Sequence, residues 1–185
     1  YYSSCWTNRF MRGHNMKSLA MHHGYYTSEF DDYELAKKNM NEFVLSRFDF
    51  TNKQTKTLVD AGCGVGGTAI HFMEMMPKLK IIGVNLSKSQ LMLAKQFAEE
   101  KKVKDNIQLM HGDYAQMALE NRSVDGVYGI ESVCHAADKR AFYMEANRVL
   151  CSAGKLVIGD YFLNDQPLND EHCDLLHIFQ EGWAI

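Results

Sequence analysis

The sequence predicts an α/β fold built on a doubly wound, mostly parallel sheet, with the last strands missing from the chain. Three observations predict it. From Leu58 onward, short β-branched runs alternate with longer stretches of helical period, the pattern of parallel strands joined by crossover helices. The run Leu58-Val59-Asp60-Ala61-Gly62-Cys63-Gly64-Val65-Gly66-Gly67 is an apolar strand that ends in an acid and meets a glycine cluster opening a helix. Glycines at such a turn admit backbone conformations closed to other residues and let a ligand approach the main chain. Finally, the chain opens at Tyr1 without a methionine and stops at Ile185 inside a helical pattern, so it reads as a stretch of a longer protein.

The elements follow in order. An aromatic, methionine- and histidine-rich stretch over residues 1–26 precedes a helix expected over 32–48. Strands are expected at 57–60, 80–85, 107–110, 124–130 and 155–162. Ser87 caps a helix whose Leu91, Ala94, Phe97 and Ala98 share one face, and Asp138 opens another that aligns Phe142, Ala146, Val149 and Leu150. These apolar positions are core. Ser152-Ala153-Gly154 turns that second helix into the fifth strand, with Gly154 free to take a positive φ. After a polar loop, His172, Leu175, Leu176 and Phe179 begin an amphipathic helix. The chain divides into a helical N-terminal segment (1–50), an α/β core (51–163) and the start of a further helical part (164–185).

Composition narrows the function. With 185 residues, 46% of them hydrophobic, and a net charge of −3, the chain supports one domain with a real core and gives no reason to expect nucleic acid as a partner. Cysteines 5, 63, 134, 151 and 173 form no close pair and no metal-ligand spacing, which points to free thiols in a reducing, cytoplasmic setting. No apolar run approaches the roughly 18 residues of a membrane span. Metal binding is not expected: His22 and His23 are adjacent, and His172 and His177 are five apart, which does not put two ligands on one helix face.

Gly62, Gly64 and Gly67 satisfy the spacing of a dinucleotide site, which keeps an NAD-dependent oxidoreductase as an alternative. Two details oppose it. Asp60 stands two residues before the first glycine, and the second strand ends in Asn85 where NAD sites usually place an acid. A carboxylate at the mouth of the turn repels a pyrophosphate and attracts an ammonium. S-adenosylmethionine carries such an ammonium and no phosphate.

Over nearly the whole chain the residues resemble the class I S-adenosylmethionine-dependent methyltransferases, whose fold is Rossmann-like. The stretch from Val59 to Gly67 resembles the family's first motif, Ile82-Gly83-Val84-Asn85-Leu86-Ser87 its second, and His111-Gly112-Asp113-Tyr114 its adenine-side motif. Within the family, Val127-Tyr128-Gly129-Ile130-Glu131-Ser132-Val133-Cys134-His135-Ala136 and His22-His23-Gly24-Tyr25-Tyr26 resemble sterol and tocopherol C-methyltransferases and related small-molecule enzymes. The resemblance implies S-adenosylmethionine as donor and S-adenosylhomocysteine as product. Gly62, Cys63 and Gly64 would line the methionine and ribose side, with Asp60 near the ammonium. Asn85 would face the ribose hydroxyls, a departure from the acid common there, with Leu86 and Gln90 completing that wall. Asp113 would accept from the adenine amino group, with Tyr114 beside the ring; Asp113 could equally cap a following helix. The resemblance further implies that residues 1–26 form a lid and that the part after the fifth strand holds a small-molecule acceptor. A homo-oligomer is left open.

Ligands of doubly wound sheets sit where strand order reverses, here between the strands ending at Asp60 and Ile130. Glu131 and His135 then overhang the transferred methyl group. An oxygen or nitrogen acceptor, phenolic or amine, needs a base, and His135 can serve. An isoprenoid alkene or sterol carbon, the acceptor favoured here, instead leaves a carbocation on the substrate. Glu131 and the faces of Tyr25, Tyr26 or Tyr128 can stabilise that cation, and Glu131 can then remove a proton. Against these roles, Glu131 could pair with a basic residue, His135 could be a hydrogen-bonded loop residue, and Tyr25 and Tyr26 could be core aromatics.

Overall fold

The computed structural model describes residues 18–29, 32–48, 50, 56–163 and 165–183. The first seventeen residues of the N-terminal stretch, Cys5 among them, lie outside these. Five strands form one parallel sheet: β1 (Thr57–Ala61), β2 (Lys80–Asn85), β3 (Ile107–His111), β4 (Val124–Ile130) and β5 (Leu150–Gly159), in the order β3-β2-β1-β4-β5. The order reverses between β1 and β4, as expected. Helices α1 (Tyr33–Leu45), α2 (Gly67–Met75), α3 (Lys88–Glu100), α4 (Lys139–Val149) and α5 (Asp170–Trp183) precede, connect or follow the strands.

Local chemistry sets the helix starts. Asp32, Ser87 and Asp138 occupy the N-caps of α1, α3 and α4, each side-chain oxygen accepting from the backbone N–H three residues on. Such caps satisfy donors that the first helical turn leaves orphaned. α2 has no side-chain cap and starts instead from Gly66, held left-handed at φ 82°.

Period-two alternation along β1 sorts the core into two layers. Val59 and Ala61 pack with Val84, Val127, Phe142, Ala146 and Val149, under α4. Leu58, on the other face, packs with Ile81, Tyr128, Phe72 and Val44, under α1 and α2. Burying side chains of this size stabilises by about 1.5–3 kcal/mol each, which fixes the register of the strands and hence of their carboxyl ends.

β5 departs from expectation. It begins at Leu150, directly after α4, and its pairing with β4 jumps from Val124↔Leu150 to Gly126↔Lys155. The left-handed residue that absorbs this irregularity is Ala153 at φ 66°, not Gly154. Gly154 is needed for closeness instead: a Cβ there would sit 3.0 Å from the Cys151 carbonyl oxygen and 3.2 Å from that of Asp125.

Candidate active site

The site lies at the carboxyl ends of β1 and β4, where the sheet order reverses. The glycine turn forms one wall. Gly62, Gly64 and Gly66 take φ values of 87°, 53° and 82°, and the amides of Gly62 and Cys63 both donate to the Val84 carbonyl at 2.9 and 3.1 Å. Gly67, which completes the literal dinucleotide spacing, is not left-handed. Its constraint is proximity, since a Cβ would stand 2.3 Å from the Leu19 carbonyl carbon.

Asp60 is not at an open mouth. It is 4% exposed, and burial pushes its carboxyl up to about 7 while Tyr128 holds it back. Tyr128 is its direct partner in the β1–β4 register. Tyr128 acts on Asp60 as a hydrogen-bonding neighbour, although among the described residues neither the Tyr128 hydroxyl nor Asp60 Oδ2 completes a hydrogen bond at full geometry. The Cys63 thiol beside them is pushed up by burial and by Asp60. A buried carboxylate oxygen lacking a donor is what the ammonium of an amino-acid moiety would satisfy, so the residues fit the methyl donor at this end. Tyr128 itself is fully buried among Phe72 and Phe48, which corrects the expectation of a cation-facing ring.

The second wall is the end of β2. Asn85 Nδ2 donates to the Gly64 carbonyl at 3.1 Å and to Gln90 Oε1 at 2.8 Å, and its Oδ1 accepts from the Ser87 amide at 3.1 Å. Both amide protons are thus spent on pinning the glycine turn to buried Gln90, and Oδ1 keeps one acceptor position for a hydroxyl. Leu86 next to it is 64% exposed, and its carbonyl lies 3.1 Å from His111 Nε2. Asp113 Oδ1 accepts from the Ala115 amide at 2.8 Å, an Asx turn with no helix after it, so the capping alternative does not hold. Tyr114 is buried, its ring edge-on to Phe142 and its hydroxyl donating to the Ser132 carbonyl at 2.8 Å.

Glu131 stands just past β4 at φ 47°, a region that costs a non-glycine residue energy and recurs at functional sites. Its amide donates to the Gly159 carbonyl at 2.8 Å, and its Oε1 accepts from the His23 amide at 2.8 Å. Burial raises its carboxyl above the ordinary range, opposed by the His23 amide and the nearby His23 and His22, and reinforced by Asp160. It pairs with no lysine or arginine among the described residues. Asp160 is fixed by the amides of Cys134 and Tyr161, each at 2.9 Å. The Tyr161 hydroxyl bonds to Glu131 and is pushed up to about 12, chiefly by burial. His135 ends a single 3-10 turn, Val133–His135, with its amide 3.2 Å from the Ser132 carbonyl.

Residues 18–24 run across the glycine turn. Ser18 N donates to Glu34 Oε2 at 2.8 Å, Leu19 is left-handed at φ 56°, and Met21 Sδ reaches within 3.4 Å of where a Gly64 Cβ would be. His22 is buried with Nε2 2.9 Å from Asn41 Oδ1, which also accepts from Thr68 Oγ1 at 3.0 Å. Tyr25 leaves this path. Its ring stacks on Phe43 at 4.9 Å and is 43% exposed, and Tyr26 is exposed as well, so neither is a core aromatic. The aromatic residue bonded to Glu131 is Tyr161, which the sequence reading missed because it took residue 161 as strand. Ser132 was missed too: its hydroxyl donates to the Ala61 carbonyl at 2.6 Å and ties the ends of β4 and β1 together. Its only signal was its place beside Glu131. Among the described residues no three metal-ligating side chains cluster.

A methyltransferase domain family matches residues 59–158. The chain is 32% identical over 135 residues to a sterol 24-C-methyltransferase of Pneumocystis carinii, covering 72% of this chain and 36% of that protein. It is 33% identical over 132 residues to an O-methyltransferase of Pyrenophora dematioidea, covering 71% of this chain and 48% of that one. The chain therefore spans about a third to a half of the length of these relatives. A geranyl diphosphate methyltransferase solved with GPP and sinefungin superposes with a TM-score of 0.83 at 20% identity, over 97% of this chain and 71% of that one, a likeness of fold. The ordered motifs, the reversal of the sheet between Asp60 and Glu131 and the family match together make this chain a member of the S-adenosylmethionine-dependent methyltransferases.

Proposed function

We propose that the protein transfers a methyl group from S-adenosylmethionine to a carbon of an isoprenoid or sterol-like acceptor, with Glu131 as the residue that manages the resulting charge and proton. The observation that carries this reading is Glu131 itself, strained at the switch point and partly desolvated, with no lysine or arginine partner among the described residues. When bound, the donor supplies an electrophilic methyl group on a sulfonium that departs as a neutral thioether.

The remaining work falls to the chain. Asp60 receives the donor's ammonium, the glycine turn lets the main chain approach, Asn85 Oδ1 accepts from a ribose hydroxyl, and Asp113 with exposed Leu86 meets the adenine. Residues 18–24 act as a lid that excludes water above the glycine turn. Glu131 opposes the positive charge left on the alkene carbon, and its carboxylate takes the proton from the adjacent carbon as the double bond re-forms. Tyr161 holds that carboxylate, and the part from residue 164 onward belongs to the acceptor side. Free Cys63, Cys134, Cys151 and Cys173 are in keeping with a reducing, cytoplasmic setting, and no helix among the described residues is long and apolar enough to cross a membrane.

The test is calorimetric titration with S-adenosylhomocysteine, then mass spectrometry of products from a panel of prenyl diphosphates, sterols and phenols. The expected result is saturable binding and a methylated prenyl or sterol product. A protein that binds no S-adenosylhomocysteine sinks the reading. The Pyrenophora relative favours a second reading, oxygen methylation, for which His135 is the base candidate. In that case a phenol is methylated, and His135→Ala costs more activity than Glu131→Gln.

A further inference from the structure

Asp60 and Tyr128 stand opposite one another in the parallel β1–β4 ladder, so their side chains leave the same face of the sheet side by side. Both are enclosed beneath α1 and α2. Tyr128 is fully buried, its ring 5.0 Å from Phe72 and 6.4 Å from Phe48, in a layer otherwise built from Leu58, Ile81 and Val44. Phenylalanine would fill that layer equally well without bringing a hydroxyl into it. Among the described residues neither the hydroxyl nor Asp60 Oδ2 completes a hydrogen bond at full geometry, although the two face each other as hydrogen-bonding neighbours. Two orphaned, buried and complementary groups side by side are costly unless a further component orders them.

We propose that Tyr128 is a positioning residue for donor binding: its hydroxyl donates to one oxygen of Asp60 and leaves the other for the ammonium of S-adenosylmethionine. The proposal rests on the reading of Asp60 as the ammonium's partner. An ionised carboxylate in this apolar layer needs a donor from below as well as a cation from above, and Tyr128 supplies the first. The groups bearing on Asp60 agree with this. Burial raises its carboxyl to about 7, and Tyr128 is what lowers it. Cys63 in the glycine turn is the other titratable neighbour. On the helices over this face, Lys37 ion-pairs with Glu34 and His71 lies 3.9 Å from Glu42, while His22 of the overlying segment bonds to Asn41. None of these helix and segment groups bears on the Asp60 carboxyl.

The experiment is titration of wild-type and Tyr128→Phe protein with S-adenosylhomocysteine and with 5′-methylthioadenosine, which lacks the amino-acid half, from pH 6 to 9. The expected result is a loss of about 10-fold in S-adenosylhomocysteine affinity at pH 7, the scale of one hydrogen bond to a charged group, with 5′-methylthioadenosine unchanged. Because Tyr128 lowers the Asp60 pKa, its removal lets that pKa rise, and the fall in S-adenosylhomocysteine affinity on acidification begins at a higher pH in the variant. Equal losses for both ligands, no loss for either, or an unmoved pH break overturns the proposal. Failure of both ligands to bind the wild type overturns the donor site itself, a distinguishable result. If Tyr128→Phe does not fold, 13Cζ-tyrosine labelling carries the test. The Tyr128 resonance should shift on S-adenosylhomocysteine binding in the wild type and stay still on addition of the same ligand in Asp60→Asn; a resonance unmoved in the wild type overturns the proposal.

Discussion

The ends of β1 and β4 each present one acid to the same crevice, and the two are built differently. Asp60 lies within a strand, sealed in an apolar layer with a tyrosine and a thiol for company. Glu131 sits one residue beyond its strand on a left-handed backbone, half-exposed, with an amide, a tyrosine hydroxyl and two histidines around it. Burial raises both carboxyls, yet Glu131 is met by hydrogen-bond donors while Asp60 Oδ2 completes no hydrogen bond among the described residues. In the proposed mechanism a fixed binding charge and a group that exchanges a proton need opposite surroundings, and these adjacent strands offer one of each.

Glu131→Gln should show the largest effect. The amide keeps an oxygen for the His23 N–H but can neither balance a cation nor accept a proton, so kcat should fall by about 10²–10⁴-fold. S-adenosylhomocysteine affinity should change by less than about 3-fold, since Asp60 and the glycine turn are untouched. The base form of a carboxyl with a raised pKa exists only above that pKa. Wild-type activity should therefore fall on acidification at a pH above the ordinary carboxylate range, and the residual activity of Glu131→Gln should lack that limb. A variant that keeps its activity but loses the donor would mean the two acids have been assigned the wrong way round.

Asp60→Asn tests the other half and should come next. A carboxyl with its folded pKa raised to about 7 contributes stability that is present below its unfolded pKa near about 3.9 and is lost as pH rises through about 7. At pH 8 the substitution should thus stabilise the protein without ligand, on the order of 3 kcal/mol and visible as a higher Tm, with little effect at pH 4. S-adenosylhomocysteine should bind about 100-fold less tightly, because the ammonium loses its counter-charge. A lower Tm at pH 8 would make Asp60 a structural acid.

How much of this was legible in the sequence differs between the two sides for a physical reason. Strand alternation, capping residues and the glycine cluster are local signals. They predicted a parallel sheet whose order reverses between the strands ending at Asp60 and Ile130, and the caps at Ser87 and Asp138. Asp60, Asn85 and Asp113 are singled out by a motif of fixed spacing that carries them. Which side chains meet across long separations carries no such signal. Nothing in residues 18–24 shows that the His23 amide would reach Glu131, 108 positions away. Tyr128 reads as a pocket aromatic until the register sets it beneath Asp60. Tyr25 and Tyr161 changed importance because one turns onto Phe43 and the other follows the fixed Asp160. Likewise, Ala153 rather than Gly154 turned left-handed because the chain needed Gly154 for closeness.

Gly67→Ala tests the packing of residues 18–24 against the glycine turn and should have an intermediate effect. Alanine favours the helix by up to about 1 kcal/mol, but its Cβ meets the Leu19 and Ala20 backbone at 2.3–2.6 Å, and main chain must move. The main-chain overlap outweighs that gain, costing about 1–3 kcal/mol, so Tm should fall by several degrees. The displaced segment is where the change appears: amide exchange over residues 18–24 should accelerate by about 10-fold, which hydrogen-exchange mass spectrometry reads directly. Unchanged exchange there, with the variant folded, would detach this segment from the glycine turn.

Ser132→Ala should have the smallest effect and bears on both acids at once. The hydroxyl donates to the Ala61 carbonyl at 2.6 Å, one residue after Asp60, while Ser132 itself follows Glu131. Removing it leaves a buried carbonyl without that donor and should cost about 1 kcal/mol in urea unfolding. If the bond also sets the spacing between the two strand ends, donor affinity and kcat should each fall by about 2–3-fold, together. Loss of stability alone would show that the sheet register suffices to hold Asp60 and Glu131 in relation. Loss confined to kcat would place the constraint on the strained residue, because Glu131 at φ 47° has fewer backbone contacts to fall back on than a residue inside a ladder.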